Sequence, residues 1–404
     1  MGIVKERWLQ EMERGYGRPE GHICPDCVTD EWLKQWVEDE ASHNSCSFCG
    51  ATHEEPIAAS FEDFLGRVMV GIRFHWNHPD DEGIMYVTAE GGYQASISDN
   101  YDVVWDLNVS ENDAVVEALV NSVGDNGWVS RGYYAGTERD WLVSGWDRFK
   151  EIIKHHSRFF FLRPNKDDYH FGPEIEPHEM LDAIGSVVAD KLGDYSLIRS
   201  LEPDTKLIRV RLDAKVQHET ASALGAPPAE FATQSNRMSP AGVPMFYGAF
   251  DVETALAETF DPEISKDAIV SVGTFKPLRE LRILDLANLP ELPSIYDEER
   301  NYLIHALSFL HSFAYDISRP IKRDGREHIE YVPTQIVTEY FRRVFRVNGE
   351  HIDGVAYKSS RATGKGAFVL FCENEQCIDG DPTGKAEELL QLTVVEHSLV
   401  SDHG

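Results

Sequence analysis

Two Cys-x-x-Cys pairs near the start, Cys24-Pro25-Asp26-Cys27 and Cys46-Ser47-Phe48-Cys49, constrain this chain more than any other feature. Each pair sets two thiols on one tight turn, and 18 residues separate the pairs. That spacing lies inside the zinc-ribbon range. A redox role would call for a surrounding βαβ pattern, which is lacking, and paired disulfides would call for an export signal. Four thiolates around Zn²⁺ leave no open coordination position, so a structural ion is expected. His22 and His43 lie close by but are read as neighbours of the site, and Cys372 and Cys377 as ordinary thiols.

At 404 residues the chain is long enough for two or three domains. The charge is the compositional outlier: 38 basic against 69 acidic side chains give −31. A field of that sign repels phosphate backbones, so nucleic acid is disfavoured as a partner. No stretch approaches the ~18 apolar residues of a membrane span. The first residues, Met1-Gly2-Ile3-Val4-Lys5-Glu6, lack the apolar region of a signal peptide. The expectation is therefore a cytoplasmic protein that does not enter membranes.

Texture changes along the chain predict four segments: a zinc-binding segment over residues 1–55, a helical domain over 56–200, a domain rich in strands over 201–385, and a loose tail over 386–404. Asp30 can cap a helix carrying Trp32, Leu33, Trp36 and Val37, and Ser60 one carrying Phe64, Leu65 and Val68. Leu142, Trp146, Phe149 and Ile153 repeat at helical spacing, as do Met180, Ile184 and Val188. Residues 207–212, 268–275 and 281–286 read as strands, and 252–260, 297–315 and 334–346 as helices. Strands mixed with scattered helices predict α+β rather than a regular βαβ series.

The residues able to do chemistry lie in this last part. Arg209 and Arg211 stand two apart on a strand, hence on one face, and guanidinium groups grip carboxylates or phosphates. Arg237 lies in Asn236-Arg237-Met238-Ser239-Pro240-Ala241-Gly242, ahead of Tyr247. Glu258 closes Thr254-Ala255-Leu256-Ala257-Glu258 after a capping Asp251. Ser359 follows the strand in Asp353-Gly354-Val355-Ala356-Tyr357-Lys358-Ser359-Ser360-Arg361. No Gly-x-Ser-x-Gly elbow surrounds it, so a nucleophilic serine hydrolase is poorly supported.

Taken in order, strand Arg, Asn-Arg-x-Ser-Pro-x-Gly, Tyr, Thr-Ala-Leu-Ala-Glu, Thr334-Gln335, Asp-Gly-x-x-Tyr-x-Ser-x-Arg and Val369-Leu370-Phe371 resemble the RES domain over roughly residues 200–372. The resemblance implies an ADP-ribosyltransferase-like fold that binds NAD⁺ and breaks its nicotinamide–ribose bond. It places the family's first arginine on Arg209, with Arg211 as the other register, and its second on Arg237. Its tyrosine falls on Tyr247, its glutamate on Glu258 and its serine on Ser359. Compact members carry Gly-Gly-Arg-x-Asn where this chain has Asn236-Arg237-Met238-Ser239, which resembles a longer branch. They also carry an Asn before the last strand, where this chain has Gly364-Lys365-Gly366-Ala367.

The helical part resembles the HEPN/RES N-terminal domain of that longer branch. It is expected to regulate or to drive homo-oligomerisation. The resemblance further implies an NAD⁺ glycohydrolase or phosphorylase acting as a toxin or anti-phage effector, with an antitoxin or trigger protein as partner. Alternatives are mono-ADP-ribosylation of a protein and a HEPN-type ribonuclease using Arg163 and His170.

Overall fold

The computed structural model describes residues 3–124, 127–162, 174–260, 268–319 and 325–403. The chain divides into two compact units, residues 1–138 with 292–305, and residues 139–291 with 306–404.

In the first unit the cysteine segment has no core of its own. Cys24, Cys27 and Cys46 are buried together with Phe61, Phe64, Val103, Leu119 and Trp128 in one cluster. Local signals start the helices as expected. Asp30 accepts the N–H of Leu33 at 2.9 Å and opens helix Glu31–Asp39. Ser60 caps Phe61–His75 through the N–H of Asp63. That helix buries Phe64, Leu65, Val68 and Ile72, and at Gly71 it admits the ring of Tyr296: a Cβ there would lie 2.4 Å from a ring carbon. Residues 292–305 are thereby held in this unit by a side chain that only glycine leaves room for. Helices Asn100–Leu107 and Asp113–Ser122 follow, capped by Asp99 and Asn112.

The second unit is built on a nine-stranded sheet, whose strands are numbered here in chain order: β1 Ile198–Leu201, β2 Leu207–Asp213, β3 Phe246–Ala249, β4 Ile269–Pro277, β5 Leu281–Asp285, β6 Gly354–Lys358, β7 Gly366–Leu370, β8 Cys377–Ile378 and β9 Leu390–Leu399. Their spatial order is β8-β9-β4-β2-β3-β7-β6-β5-β1. The pairs β5–β6 and β8–β9 run parallel and the others antiparallel, so the sheet is mixed and the class is α+β. Helix Glu138–His155 buries the expected stripe of Leu142, Trp146, Phe149 and Ile153. Helices Ile304–Ser318 and Val332–Arg343 lie close to the expected 297–315 and 334–346.

One expectation fails outright. Residues 386–404 were read as a loose tail, but Leu390–Leu399 is the longest strand of the sheet and pairs with β4 from Ile269↔Leu399 to Pro277↔Leu390. Five of its ten residues are exposed, Val394 and Leu399 among them, and backbone hydrogen bonds to β4 hold it in place.

Pleating divides the side chains of this sheet between two cores. Leu207, Phe246, Phe275, Phe368 and Leu370 pack on one side. Ile208, Val210, Ala249, Val270 and Val272 pack on the other, against Ala255 of helix Val252–Thr259. This division fixes where each candidate residue points.

The Asp353-Gly354 turn has a structural account. The Asp353 carboxylate accepts the backbone N–H of Arg282 at 2.8 Å and pairs with Arg279 at 2.5 Å. A Cβ on Gly354 would sit 2.3 Å from the carbonyl oxygen of Val369, a backbone atom held by the β6–β7 ladder. Gly354→Ala is therefore expected to destabilise the second unit by about 1–3 kcal/mol, the usual cost of forcing extra volume into a packed site. A thermal unfolding midpoint within a degree or so of the parent's would contradict this.

Candidate functional site

Helix Val252–Thr259 begins where Asp251 accepts the N–H of Thr254 at 2.8 Å, and its last turn presents Glu258. The chain leaving β6 bends back toward that turn. There the Ser359 hydroxyl donates a short hydrogen bond to the Glu258 carboxylate. Ser359 is buried, and its oxygen accepts the N–H groups of Arg361 at 3.2 Å and Ala362 at 2.9 Å. Its proton is thus committed to a carboxylate and its lone pairs to the backbone. So held between the acid and the backbone, the hydroxyl is fixed in one orientation toward Glu258. Arg361 donates to the carbonyls of Ala257 and Phe260, so the same loop also closes the end of the helix, where a cation is favoured.

Tyr357, two residues before Ser359, points to the same side. Burial and the nearby Glu258 carboxylate push its hydroxyl well above the ordinary value, so it stays protonated. The Arg237 guanidinium lies over its ring, 5.9 Å from the centroid, and donates to the carbonyl of Ser318. Tyr247 reaches toward the Arg237 loop, its hydroxyl 2.9 Å from that of Ser239 and accepting the N–H of Met238 at 3.3 Å. Burial pushes Tyr247 up to about 12 against the pull of those two bonds. Gln335 pins the loop from helix Val332–Arg343, donating to the carbonyl of Asn236 at 2.7 Å and to the hydroxyl of Ser235 at 2.8 Å. Glu258, Ser359, Tyr357, Arg237 and Tyr247 thus form one neighbourhood, with Glu258 and Arg237 only partly buried.

Arg209 and Arg211 are not part of it. On β2 they alternate with Ile208 and Val210, so they share a face with Leu207, opposite helix Val252–Thr259. Arg209 lies over the Phe246 ring at 5.1 Å and donates to the backbone carbonyl of Tyr247 at 2.7 Å. Arg211 donates to the carbonyl of Gly225 at 3.3 Å. Burial first, then the charge of Arg211, pulls Arg209 down to about 9, and burial lowers Arg211 as well. The six expected residues are therefore divided by the sheet: Arg237, Tyr247, Glu258 and Ser359 lie on one side, the two strand arginines on the other.

Tyr357 and Gln335 are the members that the sequence reading did not assign to the site. Both stand in the motifs quoted above, Tyr357 in Asp-Gly-x-x-Tyr-x-Ser-x-Arg and Gln335 in Thr334-Gln335. Arg163 and His170, the pair of the ribonuclease alternative, lie outside the described residues.

In the first unit the four cysteines come together. Their sulfurs all lie within 4.8 Å of one another, with Cys24–Cys49 at 3.6 Å and Cys24–Cys27 and Cys27–Cys46 at 3.8 Å. Tetrahedral zinc with bonds of ~2.3 Å needs sulfurs about 3.8 Å apart, so the cluster can hold a metal such as zinc. The loop before helix Asp113–Ser122 supports it. Ser110 donates to the carbonyl of Cys27 at 2.6 Å, and the Asn112 amide points at the Cys27 sulfur at 3.9 Å. His22 and His43 stack on each other at 3.5 Å and are not ligands.

Residues 206–392 match the RES domain and residues 39–167 match HEPN/RES N-terminal domain 1. The chain is a RES-domain protein of the longer form, with the HEPN/RES domain preceding the RES domain. No curated protein and no solved structure matches it. Among the described residues no helix is long and apolar enough to cross a membrane.

Because Cys24, Cys27 and Cys46 share a core with the neighbouring helices, metal loss is expected to loosen the whole first unit. Protein prepared without chelators should carry about one equivalent of zinc. Cys27→Ser should speed amide exchange at residues 109–116 as well as around the cysteines. Exchange raised only between residues 24 and 49 would argue for an independent head.

Proposed function

We propose that the second unit is an NAD⁺-cleaving enzyme with an ADP-ribosyltransferase-like arrangement, and that Glu258 is its central catalytic group. The observation that carries this reading is the Glu258–Ser359 hydrogen bond beside Tyr357 and Arg237. Breaking the bond between nicotinamide nitrogen and ribose C1′ leaves the electron pair on nicotinamide and builds positive charge on the ribose. A carboxylate held at a fixed angle stabilises that charge, as in glycoside hydrolysis. Ser359 fixes the angle. Arg237, at the edge of the site, is the group suited to the pyrophosphate of the substrate or to an attacking phosphate. Water or phosphate then adds to C1′, giving ADP-ribose or its phosphate.

Tyr247 and Tyr357 supply neutral rings against which a planar cation can lie. Arg209 acts as a positioning residue in this scheme. Its bond to the Tyr247 carbonyl holds β3, and with it Tyr247, from the opposite side of the sheet. Depletion of NAD⁺ fits a toxin or anti-phage effector neutralised by a partner protein, the role that the RES resemblance implies. The zinc site is taken as structural.

Nicotinamide release by the purified chain, with and without phosphate, tests the reaction. Label from the adenylate half of NAD⁺ appearing on protein instead would identify an ADP-ribosyltransferase. Glu258→Gln keeps the shape but removes the charge, and should lower kcat by roughly a thousandfold with little change in NAD⁺ affinity. Arg237→Ala should raise KM as well, since an anion contact exists before the transition state. Arg209→Ala should lower the unfolding midpoint and kcat while leaving KM near the parent's. A rise in KM equal to that of Arg237→Ala would place Arg209 against the substrate instead.

A further inference from the structure

On the strand-arginine side of the sheet lie two cysteines that no part of this mechanism uses. Cys372 follows β7 and Cys377 opens β8, and the short turn Asn374–Gln376 brings their sulfurs to 3.6 Å, both side chains buried. A disulfide needs ~2.05 Å between sulfurs, so only a modest movement of a six-residue loop separates the thiols from the bond. The setting favours that movement. The strand β8 has two residues and hangs on the edge of the sheet by its pairing to Leu390 and Gln391. Gly225 lets the second thiol pack directly against its backbone, since a Cβ there would come within 2.7 Å of the Cys377 sulfur.

Arginines act on both thiols, with Glu375 opposing them at Cys377. Arg209 acts on both sulfurs and Arg342 on Cys372. The hydrogen bond received from Cys372 holds the Cys377 thiol below its ordinary value, while Cys372 is held above it by giving that bond. Cys377 is thus the nucleophilic member and Cys372 the resolving one. A cavity of about 620 Å³ is lined by Phe371, Glu373, Glu375 and Gln376 of the same loop, together with Arg342, so the segment that must move borders open space.

We propose that Cys372 and Cys377 are an oxidative modification site, closed to a disulfide by hydrogen peroxide, that acts on the candidate active site through Arg209. The Cys377 thiolate attacks one peroxide oxygen; the O–O bond breaks and the departing hydroxide takes up a proton as water. The sulfenic acid on Cys377 is then attacked by the Cys372 sulfur, whose proton leaves with the hydroxyl as a second water. Two thiols and one peroxide yield one disulfide and two waters, and a dithiol reverses the change. Closure removes two thiols from the field of Arg209, the residue that donates to the Tyr247 carbonyl at 2.7 Å. The effect on turnover rests on the proposed NAD⁺ cleavage; the formation of the disulfide does not.

The test treats the full zinc-loaded chain with hydrogen peroxide, then maps thiols by alkylation and peptide mass spectrometry. The expected result is a Cys372–Cys377 crosslink, lost again on dithiothreitol, accompanied by a several-fold and reversible change in nicotinamide release. Cys377→Ser should form no crosslink and its turnover should not respond to peroxide, which separates this pair from the zinc cysteines. Both residues alkylating in full after peroxide, or Cys377 passing to the sulfonate without a crosslink, would overturn the site. A crosslink with unchanged turnover would overturn the coupling through Arg209. Absence of turnover in the reduced parent would sink the cleavage reading, while the peptide map would still decide the disulfide.

Discussion

One hydrogen bond organises the RES unit: the Ser359 hydroxyl to the Glu258 carboxylate, joining groups 101 residues apart. A bond to an ionised acceptor is worth about 1.5–3 kcal/mol, and removing one partner leaves the other poorly satisfied. The remaining contacts keep that bond in place. Asp251 fixes where the helix starts, Arg361 holds where it ends, and two N–H groups turn the serine oxygen toward the acid. Tyr357 walls the pair, and its protonated hydroxyl adds no competing charge. The sheet then separates tasks: one face presents these groups, and the other carries the aromatic core and the arginines that stiffen the strands from behind.

Much of this was legible in the sequence because it depends on local chemistry. The spacing of the four cysteines announced their cluster, and Asp30, Ser60 and Asp251 marked helix starts that the structure keeps. The ordered Arg, Tyr, Glu and Ser motifs led to the RES domain, whereas the pairing of Glu258 with Ser359 shows only in the structure. What stayed hidden depends on partners distant in the chain. Alternation shows that Arg209 and Arg211 share a face, but only the packing of Ala255 against Ile208 and Val210 shows which face holds Glu258. Strand β9 escaped notice because Thr393, Glu396, His397 and Ser398 carry no hydrophobic period, and its support comes from β4. Cys372 and Cys377 are five apart rather than three, so no turn motif drew them together on the page. Residues 292–305 leave the surrounding sequence to complete the other unit, a step visible only once Tyr296 meets Gly71.

The first unit has an electrostatic character of its own. No lysine or arginine stands between Arg73 and Arg131, while Asp99, Asp102, Asp106, Glu111, Asp113 and Glu117 line the exposed sides of two neighbouring helices. Four thiolates around one divalent cation would add further negative charge close by. A polyanion meets repulsion along this whole stretch, which weighs against RNA as its ligand whatever Arg163 and His170 do.

The pairing of β9 with β4 bears on how the unit comes into being. Their partnered residues lie more than a hundred positions apart, and β9 also supports β8, so the edge of the sheet next to β4 stays open until β9 docks. Contacts of such separation form slowly and late, after local helices and hairpins. A chain emerging from the ribosome would hold Glu258 for a long interval before Ser359, and later β9, is made. The pair proposed as catalytic is thus completed only late in synthesis, and a partial product released before Ser359 is made would lack it.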